Sequence, residues 1–429
     1  MIEAERLEKN NRIREKSKET REKRKSQVCR VYRVKIDISH LNGTQMEQLK
    51  MLFVEAKWLY NDALTFMKDH DINEYDTKVV TVHGLDKDRN PVTHDLQYIS
   101  SQMRQSIIHG IKCSLKALSS LKKNNHQVGG LRYKSEYASI NLKQYQTTYR
   151  FYDEKHVGLQ GFSKPLKIRG AKQFWNISNL EFANAKLLNL PDGYYLAITT
   201  YKNQGGEKKK YKPEIGIDMR IKTTITTSDG RKFKVLIGES ERLKKCQRQI
   251  ARREKGSSNR YRARKLMRKS YQKLGNKKHD AANKITHELL EHEIVYMQDE
   301  NLTSWHKGLF GGTVQHSVLG LVKRKLMPHE RVIVLPKSMP TTKYCPKCGN
   351  LKKDIKLSDR VYECECGYHE DRDIHAARNM ILLSKRSTCG TQESNAFGED
   401  VLRPAARRRQ KCRNADLDEL GSSRFYKRG

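Results

Sequence analysis

Two short cysteine pairs, Cys345-Pro-Lys-Cys348 and Cys364-Glu-Cys366, limit the folds open to this chain more than any other feature. Four thiolates in a two-plus-two arrangement suit one tetrahedral, structural Zn²⁺ of the ribbon kind, which makes two separate turns meet at one point. His369 is the alternative donor nearby, and the second pair is spaced by one residue instead of two. The first residues, "MIEAERLEKNNRIREK", contain no apolar leader core, and no apolar run nears the ~18 residues that cross a bilayer. The nine cysteines are therefore expected to be cytoplasmic thiols or metal ligands, not a disulfide framework. Straight after the second pair comes "YHEDRDIHAARNM", a knot of acids. Carboxylates are hard oxygen donors and imply a second, different ion.

Three segments offer such carboxylates at expected element ends. "EIGIDMR" places Asp218 at the end of a short apolar strand, and "TTITTSDGRKFKVL" follows as a hairpin turning at Ser228-Asp229-Gly230. A long basic helical region leads to "IVYMQDENL", a strand ending near Glu300; "VIVLP" is a further strand, and Asp373 opens the helix "DIHAARNMILL". Strand with Asp, hairpin, helix, strand with Glu and late helix with Asp is the element order of the ribonuclease H-like nuclease fold. Asp218, Glu300 and Asp373 are thus the expected catalytic and Mg²⁺- or Mn²⁺-binding acids. Two such ions ~3.5–4 Å apart activate a water and stabilise the leaving oxygen of a phosphodiester. Neighbouring strand residues face opposite sides, so only one of Asp299 and Glu300 reaches the ions; Asp299 is the alternative.

The chain carries 86 Lys and Arg against 49 Asp and Glu, a formal +37, and so attracts polyanions, nucleic acid first among them. The densest stretch runs from Arg242 to Lys278, with 16 basic residues and one Glu. Arg252, Arg253, Arg260, Arg264, Lys265, Arg268 and Lys269 are its expected phosphate contacts.

The first half is less specific. Residues 1–28 hold ten basic and six acidic side chains, which suits a solvated helix or a disordered arm. "CRVYRVKIDI" alternates as a half-buried strand. The 3.6 spacing of apolar residues predicts helices over about 45–68 and 100–122, the second with Met103, Ile107, Ile111, Leu115, Leu118 and Leu121 as its stripe. A loop or short hairpin is expected at 73–95. Strand signals return over 146–211, where a small barrel could form with the strand at 29–38, the helices lying between its halves.

The second half resembles a family, the RNA-guided nucleases that comprise transposon-encoded TnpB and the miniature type V-F CRISPR effectors. "GIDMR" is similar to the family's Gly-Ile-Asp-x-Gly motif, "QDENL" to its Glu-[Asp/Asn]-Leu motif, and "CPKCG…CECGYHEDRDIHAARNM" to its zinc ribbon and third motif; "GTQESNAFGEDV" looks like its C-terminal end. The resemblance implies an α+β multidomain fold. Its expected parts are a charged arm (1–28), a wedge barrel in two pieces (29–45 and 146–211), an inserted helical recognition lobe (46–145), a RuvC-type nuclease in two pieces (212–341 and 370–388), a target-binding zinc ribbon (342–369) and a flexible tail (389–429). It further implies Asp218, Glu300 and Asp373 as the acids, Cys345, Cys348, Cys364 and Cys366 as the zinc ligands, and a guide RNA and double-stranded target DNA as partners. No membrane partner is expected. The CRISPR branch implies a homodimer, and the transposon branch a monomer guided by RNA from the element's own end. Two departures stand out. Arg220 replaces the usual glycine and is expected to alter the turn without touching the carboxylate; His375 replaces a common Asn. A strand-transfer transposase and a non-catalytic nucleic-acid-binding regulator rank behind these readings.

Overall fold

The computed structural model describes residues 2–85, 90–203, 210–220, 224–234, 236–308, 311–352, 354–355 and 359–388. The tail at 389–429, with "GTQESNAFGEDV", lies outside the described residues. These form two compact units, one before residue 206 and one beyond it.

The first unit opens with α1 (Ile2–Lys25), whose described side chains are exposed, so the charged arm is a helix. Next come β1 (Gln27–Ile36) and α2 (Gly43–Phe66). Asn42 caps α2: its side chain accepts from Gln45 N at 2.7 Å, and the Gln45 side chain accepts from Asn42 N at 3.2 Å. The hairpin β2 (Thr81–Leu85) and β3 (Pro91–Asp95) precedes α3 (Ser101–Lys123). Glu55 of α2 is 1 % exposed and accepts from the backbone N–H groups of Gln97, Tyr98 and Ile99, fixing the approach to α3. Only the first half of the expected α3 stripe is core: Met103, Ile107 and Ile111 are buried, whereas Leu121 is exposed because the helix runs on past the core.

Seven more elements complete this unit: β4 (Ser139–Leu142), β5 (Tyr149–Phe151), β6 (His156–Leu159), β7 (Leu166–Arg169), α4 (Lys172–Trp175), β8 (Glu181–Leu190) and β9 (Gly193–Asn203). One antiparallel sheet in the order β4-β8-β9-β1-β7-β6-β5 joins the early strand to the late ones. Its apolar face and α2 and α3 share one core. Strand β4 and the β2–β3 hairpin fall within 46–145, so that span is not wholly helical.

The second unit runs through β10 (Ile215–Met219), β11 (Thr224–Thr227), β12 (Lys232–Lys234), α5 (Glu241–Arg252), α6 (Ser258–Leu289) and β13 (Val295–Gln298). It continues with α7 (Leu302–Lys307), α8 (Gly311–His316), α9 (Leu319–Leu326), β14 (Val332–Leu335), β15 (Val361–Glu363), β16 (His369–Asp371) and α10 (Arg372–Thr388). Five strands pair in the order β12-β11-β10-β13-β14; β10, β13 and β14 are parallel and the other two pairings antiparallel. Strand alternation sorts the two faces. Ile215, Ile217, Met219, Val295 and Met297 pack with Ala282, Ile285 and Leu289 of α6 and Leu319, Val322 and Leu326 of α9. Tyr296 and Leu335 pack instead with Met380 of α10. Helices therefore cover both faces, and no helix among the described residues is long and apolar enough to cross a membrane.

Candidate metal centre

The α10 face of the second sheet carries the acids. Gly216 lies beneath α10, where a Cβ would stand 1.9 Å from the carbonyl oxygen of Ala377, so only glycine lets the helix come this close. Asp218, two residues on, shares that face. Asp371 caps α10, accepting from Asp373 N at 2.9 Å. This resolves the acidic knot: Asp371 is the cap, Glu370 pairs with Arg378, and Asp373 alone turns to Asp218.

Arg220 joins those two carboxylates. Its Nε donates to Asp218 Oδ2 at 3.1 Å and its Nη2 pairs with Asp373 Oδ1, in a pocket where all three side chains are under 20 % exposed. The expectation that Arg220 spares the carboxylate is thus corrected: the side chain folds back from the strand end and its planar fork spans both acids. Burial pushes the Asp218 carboxyl up to about 6 against the pull of Arg220, and the charges of Asp373 and Glu300 add to the rise. Glu300 is therefore close enough for its charge to be felt at Asp218. Burial raises Glu300 too, opposed by Lys337 and Lys323.

Strand parity separates Glu300 from its neighbour. Asp299 continues the Val295 and Met297 side and pairs at 2.6 Å with Lys323 of α9, whereas Glu300 continues the Tyr296 and Gln298 side. The three acids supply hard oxygen donors from three elements, a set suited to Mg²⁺ or Mn²⁺. Sequence reasoning passed over Lys323 and the role of Gly216; a glycine inside an apolar strand was the available signal for the latter.

The cysteines come together more tightly. Cys345, Cys348, Cys364 and Cys366 place their sulfurs within 4.8 Å of one another, the one such group of possible metal donors among the described residues. The Cys345–Cys366 and Cys348–Cys364 sulfurs are 3.6 Å apart, near the roughly 3.8 Å that ~2.3 Å bonds impose around a tetrahedral ion. Gly349 and Gly367 follow the pairs at φ +78° and +81°, the left-handed turn that glycine allows. Burial raises the Cys345 thiol, but N–H groups of Cys348 and Lys347 outweigh it and bring the thiol down to about 7. The donor set fits one ion without His369, which lies exposed on β16.

His375 belongs to the joint between the cysteine ribbon and α10. Fully buried, it stacks on Tyr362 of β15 with ring centroids 3.9 Å apart, and burial pulls it down to about 4. Asn379, one turn on, donates to Thr341 O at 2.8 Å and Tyr344 O at 2.7 Å.

The basic region forms the α5–α6 arm, closed by Gln247 Nε2 donating to Tyr271 Oη at 2.8 Å. Arg252, Arg264, Lys265 and Arg268 are exposed, and Lys269 is half-buried. Arg253 and Arg260 hold the turn instead, donating at 2.6 Å to Asn259 O and Arg253 O. A cleft of about 590 Å³ on α5 is lined by Lys245, Arg248, Gln249, Arg252 and Arg253.

Residues 199–295 match the family described as "Probable transposase" (OrfB_IS605), and residues 322–380 the "Cas12f1-like, TNB domain" family. Asp218 lies in the first segment, the cysteines and Asp373 in the second, and Glu300 between them. A "Putative RNA-guided DNA endonuclease" of Streptomyces pristinaespiralis is 27% identical over 210 residues, 45% of this chain and 52% of that protein. A "Putative RNA-guided DNA endonuclease InsQ" of Escherichia coli (strain K12) is 22% identical over 214 residues, 44% of this chain and 53% of that protein. The chain spans about half the length of these curated relatives. A solved Cas12f1–sgRNA–target DNA complex aligns with 83% of this chain and 99% of its own at 11% identity and a TM-score of 0.44. Both family matches fall on the unit that holds the acids and the cysteines, and it is this part of the chain that is similar to TnpB and Cas12f-like proteins.

Proposed function

We propose that the chain is an RNA-guided, metal-dependent DNA endonuclease, as a miniature type V-F effector or a close TnpB relative. What supports this reading is that Asp218 and Asp373 meet through Arg220 on the α10 side of the second sheet, with the charge of Glu300 reaching Asp218. The strand order β12-β11-β10-β13-β14 with α10 above it fits a RuvC-type, ribonuclease H-like nuclease, and the cysteine ribbon enters just before its last element. The similar proteins named as RNA-guided DNA endonucleases supply the guide and the DNA target. On this reading the first unit is the wedge and recognition lobe that hold the guide duplex, and the enzyme acts in the cytoplasm.

Asp218, Glu300 and Asp373 would hold two Mg²⁺ or Mn²⁺ ions, and the four cysteines one structural Zn²⁺. Such a pair of ions, when bound, supplies an activated water and a counter-charge for the leaving oxygen. The chain's own groups do the positioning. Gly216 lets α10 approach until Asp373 faces Asp218, Lys323 turns Asp299 away from the centre, and the exposed arginines of the α5–α6 arm hold backbone phosphates. Base pairing with the guide would read sequence, in keeping with a basic surface that carries no separate sequence-reading motif.

Asp218→Asn, Glu300→Gln and Asp373→Asn should each abolish guided cleavage of DNA in Mg²⁺ and leave nucleic-acid binding within about threefold, while Asp299→Asn cuts at near wild-type rate. Cleavage assays with a cognate guide, a mismatched guide and no RNA check this. Equal cutting in all three arms would remove the guided reading, and full activity in an acid variant would remove that acid.

A further inference from the structure

We propose that Arg220 is an internal counter-ion of the acidic centre, seated where a divalent cation would bind, so that metal enters only as the guanidinium leaves. The inference rests on the nuclease reading above and concerns what loads that centre.

Its basis is a shared set of lone pairs. Arg220 Nε donates to Asp218 Oδ2 at 3.1 Å and Nη2 pairs with Asp373 Oδ1, so one oxygen of each of two carboxylates that would hold a cation is already engaged. A guanidinium presents its donors in a rigid plane and cannot lose its charge, so one side chain can neutralise two carboxylates at once. The pocket makes such neutralisation necessary. Asp218 and Asp373 are 13 % and 17 % exposed, and the negative charge of Glu300 also reaches Asp218. Two nearly buried acids, with a third, half-buried one whose charge reaches Asp218, repel one another and lose hydration when no cation is bound. Arg220 relieves that cost in the metal-free protein, and the relief must be given up when a metal takes its place. Arg220 and the ion therefore compete for one seat, and the competition weakens metal binding.

The test uses the full-length chain loaded with zinc. Mn²⁺ binding would be followed by titration calorimetry and by the free-ion signal in electron paramagnetic resonance, for the wild type, Arg220→Gln, Arg220→Gly and Asp218→Asn. Glutamine keeps the length and removes the charge, so the test stands if the glycine variant does not fold. Both Arg220 variants should bind Mn²⁺ at least about tenfold more tightly than the wild type, because a unit positive charge at contact distance is removed. Without Mn²⁺ they should melt below the wild type, and saturating Mn²⁺ should raise their melting temperature more. Unchanged or weaker Mn²⁺ affinity in both variants, with binding still lost in Asp218→Asn, overturns the counter-ion and leaves the nuclease centre standing. Mn²⁺ binding that is indifferent to Asp218 overturns the metal site itself, and the inference with it.

Discussion

A Cβ on Gly216 would lie 1.9 Å from the Ala377 carbonyl oxygen and 3.3 Å from Ile381 Cγ1, and the first of these is backbone that cannot swing aside. Gly216→Ala must therefore push α10 off β10, and with it Asp373 away from Asp218. We expect a cost of about 3 kcal/mol or more, at the upper end for overpacking, read as a lower urea midpoint at unchanged slope. An unchanged midpoint would show that the helix shifts freely and that the glycine does not set the spacing. The same scale separates acids that look alike in sequence. Asp299 and Glu300 are neighbours, yet one pairs with Lys323 on α9 and the other stays on the face shared with Asp218. Strand parity, legible in "IVYMQDENL", puts the two on opposite sides, and the packing of α9 and α10 on those sides decides which of them faces Lys323. The contact of Arg220 with both Asp218 and Asp373 was not legible, because Asp373 lies more than 150 residues further along the chain.

Among the elements, α10 is the one on which both candidate metal sites depend. Its first turn presents Asp373, while His375 and Asn379 clamp it to the ribbon through Tyr362 and the carbonyls of Thr341 and Tyr344. The ribbon has little apolar core of its own, so the energy of metal binding has to hold it. Elemental analysis should find one zinc per chain, and Cys348→Ser should lose most of it and melt at least about 5 °C lower. Cys348 is the exposed member of the set, so this change opens no cavity and the loss would report on the metal. A variant that keeps a full zinc equivalent would remove Cys348 from the ligands. That four cysteines converge was readable from their spacing. That the ribbon rests on the helix bearing Asp373 depended on Tyr362 and His375 meeting across the fold.

At the scale of the molecule, the formal +37 is spread over both units and gathers most densely on the α5–α6 arm. Free protein should bind nucleic acid with an affinity that falls steeply as salt rises, since each neutralised phosphate releases counter-ions. Replacing Arg252, Arg264, Lys265 and Arg268 together by Ala should lower the slope of log affinity against log salt by about 0.9 for each phosphate no longer neutralised, hence by about 3–4. Binding should weaken equally for unrelated sequences. Fluorescence anisotropy between 50 and 300 mM salt, roughly the range in which such slopes are read, measures both. An unchanged slope would place the phosphate-binding side chains elsewhere. Arg253 and Arg260 are left out of the set because they hold the turn between α5 and α6, and replacing them would disturb folding.

The sequence alone determined whatever local chemistry decides: helices α2 and α3 of the first unit, the alternating strands, the two-plus-two cysteine knuckle, and the element order that carries Asp218, Glu300 and Asp373. These follow from spacing and backbone geometry within about ten residues, so they can be read along the chain. Tertiary structure alone decided that Arg220 turns back onto two acids, that Lys323 holds Asp299, that His375 packs under Tyr362, and that the stripe of α3 outruns its core. Each of these depends on a partner far off in sequence. A side chain's partner there is settled by which elements pack together and by the charge and burial they create, and neither quantity is written in any local stretch.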